Sequence, residues 1–139
     1  MRNRRKALLG AENRAFIIFK NEEASLRTGS LYTDYGKIEY SGGYIKIGNG
    51  YSMSLNYIIN LDFTGFSKLH IVASTGSYGS TYLAHHSNYS DSYSKWPGKI
   101  SIAKDTAKRE YVFDISSVNG IRHIATHTAN LNIYDIWLD

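Results

Sequence analysis

The residues best suited to chemistry in this chain are aromatic and small polar ones, not catalytic ones. Residues 74–98 hold seven Ser, four Tyr and one Trp, with Tyr78, Tyr82, Tyr89, Tyr93 and Trp96 spaced through them. A sugar presents an apolar C–H face and a rim of hydroxyls. A Tyr or Trp ring covers the first, and Asn, Asp and Ser groups bond the second. Asn88, Asp91 and Lys95 lie in the same stretch. Rigid amphipathic rings among small hydrogen-bonding groups is also the composition of protein-recognition loops. The candidate ligand-binding residues are therefore Tyr78, Asn88, Tyr89, Asp91, Tyr93 and Trp96. Tyr82 reads instead as core or sheet surface, because Tyr is also a strong strand former.

Other reactive types are sparse or badly placed. The chain has no Cys, which excludes thiolate catalysis, disulfides and Cys-based metal sites. His85 and His86 are adjacent, so a strand would point them to opposite faces. His123 and His127 would share one face of a strand. Neither pair has a carboxylate at a ligand spacing, so no metal site and no cofactor are expected. Asp62, Asp105 and Asp114 sit where strands should end, and capping of the backbone is the expected role. No pair of carboxylates is singled out for glycosidase chemistry. There is no Gly-x-Ser-x-Gly, P-loop or dinucleotide fingerprint. No enzyme is expected.

Strands must position these residues. Ala15-Phe16-Ile17-Ile18-Phe19 is a short apolar run, as of a strand buried on both faces. Alternation marks Tyr51–Ile59, Lys68–Ala73, Ile100–Ile102 and Glu110–Ile115. Ala129–Leu138 begins as an alternating strand, but its phase shifts near Asp135, which a bulge would produce. Turn clusters at Ser41-Gly42-Gly43, Gly48-Asn49-Gly50 and Ser116–Gly120 separate the runs. The pattern predicts an all-β, antiparallel, jelly-roll-like β-sandwich of about nine or ten strands. Residues 87–98 read as a long exposed loop.

Charge divides the chain of 139 residues unevenly. Arg2, Arg4, Arg5, Lys6 and Arg14 against Glu12 account for the whole formal net charge of +4. Residues 15–139 hold equal numbers of cations and anions. The expected organisation is a basic N-terminal arm, residues 1–14 (a turn or two of helix at most), followed by a β-sandwich domain, residues 15–139. So few clustered charges would give only weak, salt-sensitive phosphate binding, so nucleic acid is not the expected partner. The apolar stretch after Lys6 is too short for a signal peptide, and no run is long enough to span a membrane as a helix.

Two phrases carry a resemblance. Asp62-Phe63-Thr64-Gly65-Phe66-Ser67-Lys68-Leu69-His70-Ile71 resembles a turn-and-strand phrase of β-sandwich modules in phage and prophage tail-associated proteins. Tyr111–Gly120 followed by Asn132–Leu138 is similar to the closing strands of the same jelly-roll, galactose-binding-like modules. The opening Arg4-Arg5-Lys6-Ala7-Leu8-Leu9 is similar to basic segments that precede them. The resemblance implies a virion-associated structural module, located on the virion or another extracellular surface. Arg2, Arg4, Arg5 and Lys6 would form its attachment arm to other virion proteins or to a second copy, and a surface glycan is a possible ligand. A free-standing bacterial carbohydrate-binding module is the alternative, and a glycan-processing enzyme comes third.

Overall fold

The computed structural model describes residues 15–33, 37–48, 55–75, 81–87, 98–102, 105–127 and 130–139. Within them eleven strands follow in order: β1 (Phe16–Phe19), β2 (Ser30–Thr33), β3 (Lys37–Ser41), β4 (Tyr44–Gly48), β5 (Leu55–Asp62), β6 (Lys68–Thr75), β7 (Thr81–His86), β8 (Ile100–Ile102), β9 (Asp105–Asp114), β10 (Ile121–His127) and β11 (Asn130–Leu138). All pair antiparallel in two sheets. Sheet A runs β3-β4-β11-β6-β9, with β1 also on β11; sheet B runs β2-β5-β10-β7-β8. The β-sandwich expected from the alternation is therefore present. It has more strands than expected because β2, β3 and β4 are only four or five residues long and of mixed composition.

The core lies between the sheets. Ile45, Ile47, Leu69, Ile71, Ala73, Leu131, Ile133, Ile136 and Leu138 line sheet A's inner side. Ile58, Leu61, Leu83, Ile102 and Ile124 face them from sheet B. Phe19, Phe63, Phe66 and Phe113 belong to the same core. Period-two alternation delivers these residues to one side because successive Cβ atoms leave a strand on opposite faces.

β11 organises sheet A. One edge pairs with β6 from Leu131 to Leu138. The other is divided: β4 takes Asn130–Ile133 and β1 takes Ile136–Leu138. Between them the register against β6 shifts at Tyr134, the bulge expected from the broken phase near Asp135. β1 has its own shift between Ile17 and Phe19. That irregularity buries Ile18 and Phe19 in succession and leaves Ile17 half-buried on the outer side. The run is thus buried on its core side only, not on both faces.

The two phrases that carried the resemblance form one knot. Phe63 N–H donates to the Gly120 carbonyl, Gly120 N–H to Thr64 Oγ1 at 2.7 Å, and Ile115 N–H to the Ser67 carbonyl. Asp62 accepts from Thr64 N–H and Asp114 from Ser116 N–H, each at 2.9 Å, the capping expected of those aspartates. Asp105 starts β9.

The β3–β4 hairpin turns through Gly42 and Gly43, with φ of 62° and 87°, the signature of a type I′ turn. Glu22 N–H donates to the Gly43 carbonyl at 2.8 Å, which locks the corner after β1 onto this turn. A Cβ on Gly43 would stand 2.7 Å from Glu22 Cα. Gly120 also has positive φ but open space around it. Gly120→Ala should therefore cost only the left-handed penalty of about 1–2 kcal/mol. Gly43→Ala should cost clearly more, because backbone must also move. Urea unfolding of both variants checks the order.

Candidate functional site

Sheet B's outer face gathers aromatic and imidazole side chains. In β2, β5, β10 and β7, register places Tyr32 opposite Tyr57, Tyr57 opposite Ala125, and Ala125 opposite Ala84. The next row sets His127 opposite Tyr82 and Tyr82 opposite Ser101. His86 faces His123 on the other side of the alanines. Two alanines, both fully buried, thus sit side by side beneath these rings. Tyr57, Ala84 and Ala125, with Ile59 and Tyr82 against them, make an apolar cluster separate from the main core.

The rings differ in accessibility. Tyr32 is 39 % exposed and packs on Tyr57 with centroids 6.3 Å apart, whereas Tyr57 is 1 % exposed. Tyr82 is half-buried, 6.1 Å from the His127 ring, and Lys99 Nζ stands 5.2 Å from its centroid. A cation over a phenol ring is attracted by the ring's quadrupole. Tyr32, Tyr82 and Lys99 therefore offer surface, while Tyr57 and the histidines support it from beneath. Tyr32 and Tyr82 lie three strand spacings apart, about 14 Å. That separation suits an extended ligand more than a single ring.

His123 and His127 on this face, and His85 on the other, are held neutral. Asn60, in the left-handed region at φ 66°, sits where β5 bulges against β10 and donates its N–H to His123 Nδ1 at 3.2 Å. Burial lowers the pKa of His123, aided by His86 and Arg122, and burial lowers that of His127. His85 points the other way, as adjacency to His86 required. Its ring lies edge-on to Phe63 and Phe113 at 5.9 and 5.8 Å. Arg122 Nη2 donates to His85 Nδ1 at 3.2 Å, so the neutral ring carries its proton on Nε2. Burial, then Arg122 and His86, lowers His85 to about 4. His123 and His127 share a strand face, as their spacing implied.

Among the described residues, this face carries no pair of carboxylates. Positions 30–33, 55–60, 82–86, 101 and 123–127 contain no Asp or Glu, so they supply no glycosidase pair. Among the described residues, no three His, Asp or Glu side chains group as they would to hold a metal ion.

The sequence candidates Tyr78, Asn88, Tyr89, Asp91, Tyr93 and Trp96 lie outside the described residues, as do Arg2, Arg4, Arg5 and Lys6 of the arm. The chain nevertheless links the six ligand candidates to this sheet. Residues 76–80 lead into β7, and residues 88–97 join Ser87, just after β7, to Gly98, just before β8. Tyr32, Tyr57, His123 and His127 were not among the ligand candidates. Their shared outward parity with Tyr82 and Ala125 is the signal that finds them, but it needs the pairing of β2, β5, β10 and β7.

No family model matches the chain, and no curated protein matches it. Solved structures do. An arginine-to-alanine variant of a family 29 carbohydrate-binding module has a TM-score of 0.65 at 13 % identity, covering 90 % of this chain and 91 % of that one. A lysine-to-alanine variant complexed with cellulohexaose has 0.64 at 14 %, covering 89 % of each chain. An aspartate-to-alanine variant complexed with mannohexaose has 0.61 at 15 %, covering 90 % and 92 %. The similarity extends over nearly the whole of each chain and establishes a shared β-sandwich fold.

Because the His85 pKa is lowered in the folded state, unfolding takes up a proton between pH 6.5 and about 4. The stabilisation is complete above pH 6.5 and is lost as pH falls through that window. His123 and His127 act in the same direction. His85→Gln, which keeps an acceptor for Arg122, should make the decline in urea midpoint between pH 7 and pH 4.5 shallower. An unchanged slope contradicts the assignment.

Proposed function

We propose that this chain is a non-catalytic glycan-binding module whose ligand crosses the outer face of sheet B. The observation that carries the reading is the row of rings on that face. Tyr32 and Tyr82 offer phenol surface above a fully buried alanine pair, with Lys99 beside Tyr82. Rings supply apolar contact to pyranose C–H faces, and the phenol hydroxyls and Lys99 supply hydrogen bonds. The likeness to family 29 carbohydrate-binding modules, two of them complexed with hexasaccharides, supports the same ligand class. The sequence candidates Tyr78, Asn88, Tyr89, Asp91, Tyr93 and Trp96 belong to the proposal as further ligand-binding residues.

The virion setting, the attachment role of Arg2, Arg4, Arg5 and Lys6, and a location on a virion or other extracellular surface rest on the sequence phrases alone. The comparisons carry no support for them. The glycan-binding reading does not depend on them, so the carbohydrate-binding module becomes the leading reading.

Affinity electrophoresis in mannan- and cellulose-derived gels, followed by calorimetry with mannohexaose and cellulohexaose, tests the proposal. Tyr82→Ala and Tyr32→Ala should each weaken binding about tenfold, the loss of about 1.4 kcal/mol expected for one ring contact. Their spectra should remain folded. No binding to either hexasaccharide, or binding unchanged in both variants, overturns it.

A further inference from the structure

We propose that the seam between β1 and β11, on the outer face of sheet A, is a second ligand site that takes one terminal pyranose unit of a glycan. It shares a ligand class with the face above but none of its residues, so the two can fail separately.

The seam follows from the divided edge of β11. β4 leaves that edge at Ile133 and β1 joins it at Ile136, so Tyr134 and Asp135 lie in the interval. Beside this interval is a slot of about 170 Å³ lined by Ala15, Ile17, Phe19, Lys20, Asp135 and Trp137. Pockets for drug-sized ligands run to roughly 300–1,000 Å³, so this one accommodates a single ring and not an oligosaccharide.

Its wall is preorganised. Trp137 lies opposite Ile17 and stacks on His70, with centroids 4.5 Å apart and planes 3° from parallel. His70 Nδ1 is 3.0 Å from Glu110 Oε2, and its Nε2 is 3.7 Å from Asp139 Oδ2. The indole is thus fixed before any ligand arrives, and a ring held in place loses little entropy on binding. With His70 covering one side, the remaining indole surface and Ile17 form the apolar part of the slot.

The rim is polar and carries both signs. Asp135 Oδ1 accepts the Asn21 N–H at 3.1 Å, which fixes the carboxylate and leaves Oδ2 to accept from a ligand. Lys20, exposed, supplies a donor. An anion would meet Asp135 and a cation Lys20. A neutral ligand with one apolar face and a rim of hydroxyls satisfies both, and a pyranose is such a ligand.

The test is a ¹H–¹⁵N NMR titration of the full chain with methyl α-mannopyranoside and methyl β-glucopyranoside. At least one should shift the Trp137 indole N–H and the Lys20 and Asp135 amides saturably, with millimolar affinity. Trp137→Ala should abolish the amide shifts, and Asp135→Ala should weaken binding about tenfold. Lys20→Ala, which removes only an exposed side chain, should weaken it several-fold and decides the matter if Trp137→Ala fails to fold. Tyr82→Ala should change nothing here. The proposal is overturned by shifts that never saturate for either glycoside, by shifts that Lys20→Ala leaves intact, or by shifts that Tyr82→Ala removes.

Discussion

One strand with a divided edge sets the architecture. β11 gives its whole length to β6 on one side and must serve both β4 and β1 on the other. A straight, regular strand would carry its alternation unbroken from Leu131 to Leu138. The extra residue at Tyr134 resets the phase, so Leu131 and Ile133 before it and Ile136 and Leu138 after it all reach the core. The displaced Tyr134 is used on the outer side: its hydroxyl meets Ser74 Oγ at 2.8 Å, and Lys108 Nζ lies 4.1 Å from its ring centroid. Without the bulge, either the core or the docking of β1 would be lost.

The rest of the sandwich is tied to this frame at its end. The turn after β5 and the turn after β9 exchange backbone hydrogen bonds, and β6 begins beside the last residue, where Asp139 N–H donates to the Lys68 carbonyl. With both sheets held there, sheet B can keep its outer face rich in rings. His123 and His127 on that face stay neutral because burial disfavours their charged forms, and His85 beneath them stays neutral for the same reason. At neutral pH these three rings therefore add no charge to sheet B.

Much of this fold was legible in the residues. Strong alternation marks β6, the end of β9 and β11, and even the bulge near Asp135 appears as a broken phase. The two aspartate turns and the opposed faces of His85 and His86 follow from local geometry. β2, β3 and β4 were less legible because each is short, with Tyr, Lys or Glu interrupting its apolar pattern. The ring cluster on sheet B was not legible as a group. Tyr32 and Tyr57 are 25 positions apart in the chain. Nothing local says that they meet, since their contact depends on which strands pair and in what register. Ala84 and Ala125 are likewise ordinary residues until the sheet places them side by side beneath the rings.

The central claim is that sheet B's outer face, not an enzymatic cleft, is where this chain meets glycan. A crystal structure of the full chain grown with mannohexaose or cellulohexaose tests it most directly. The account predicts an intact oligosaccharide lying across the strands from Tyr32 to Tyr82, with hydroxyls in reach of Lys99. A sugar chain bound only elsewhere on the molecule, or found cleaved, would contradict it.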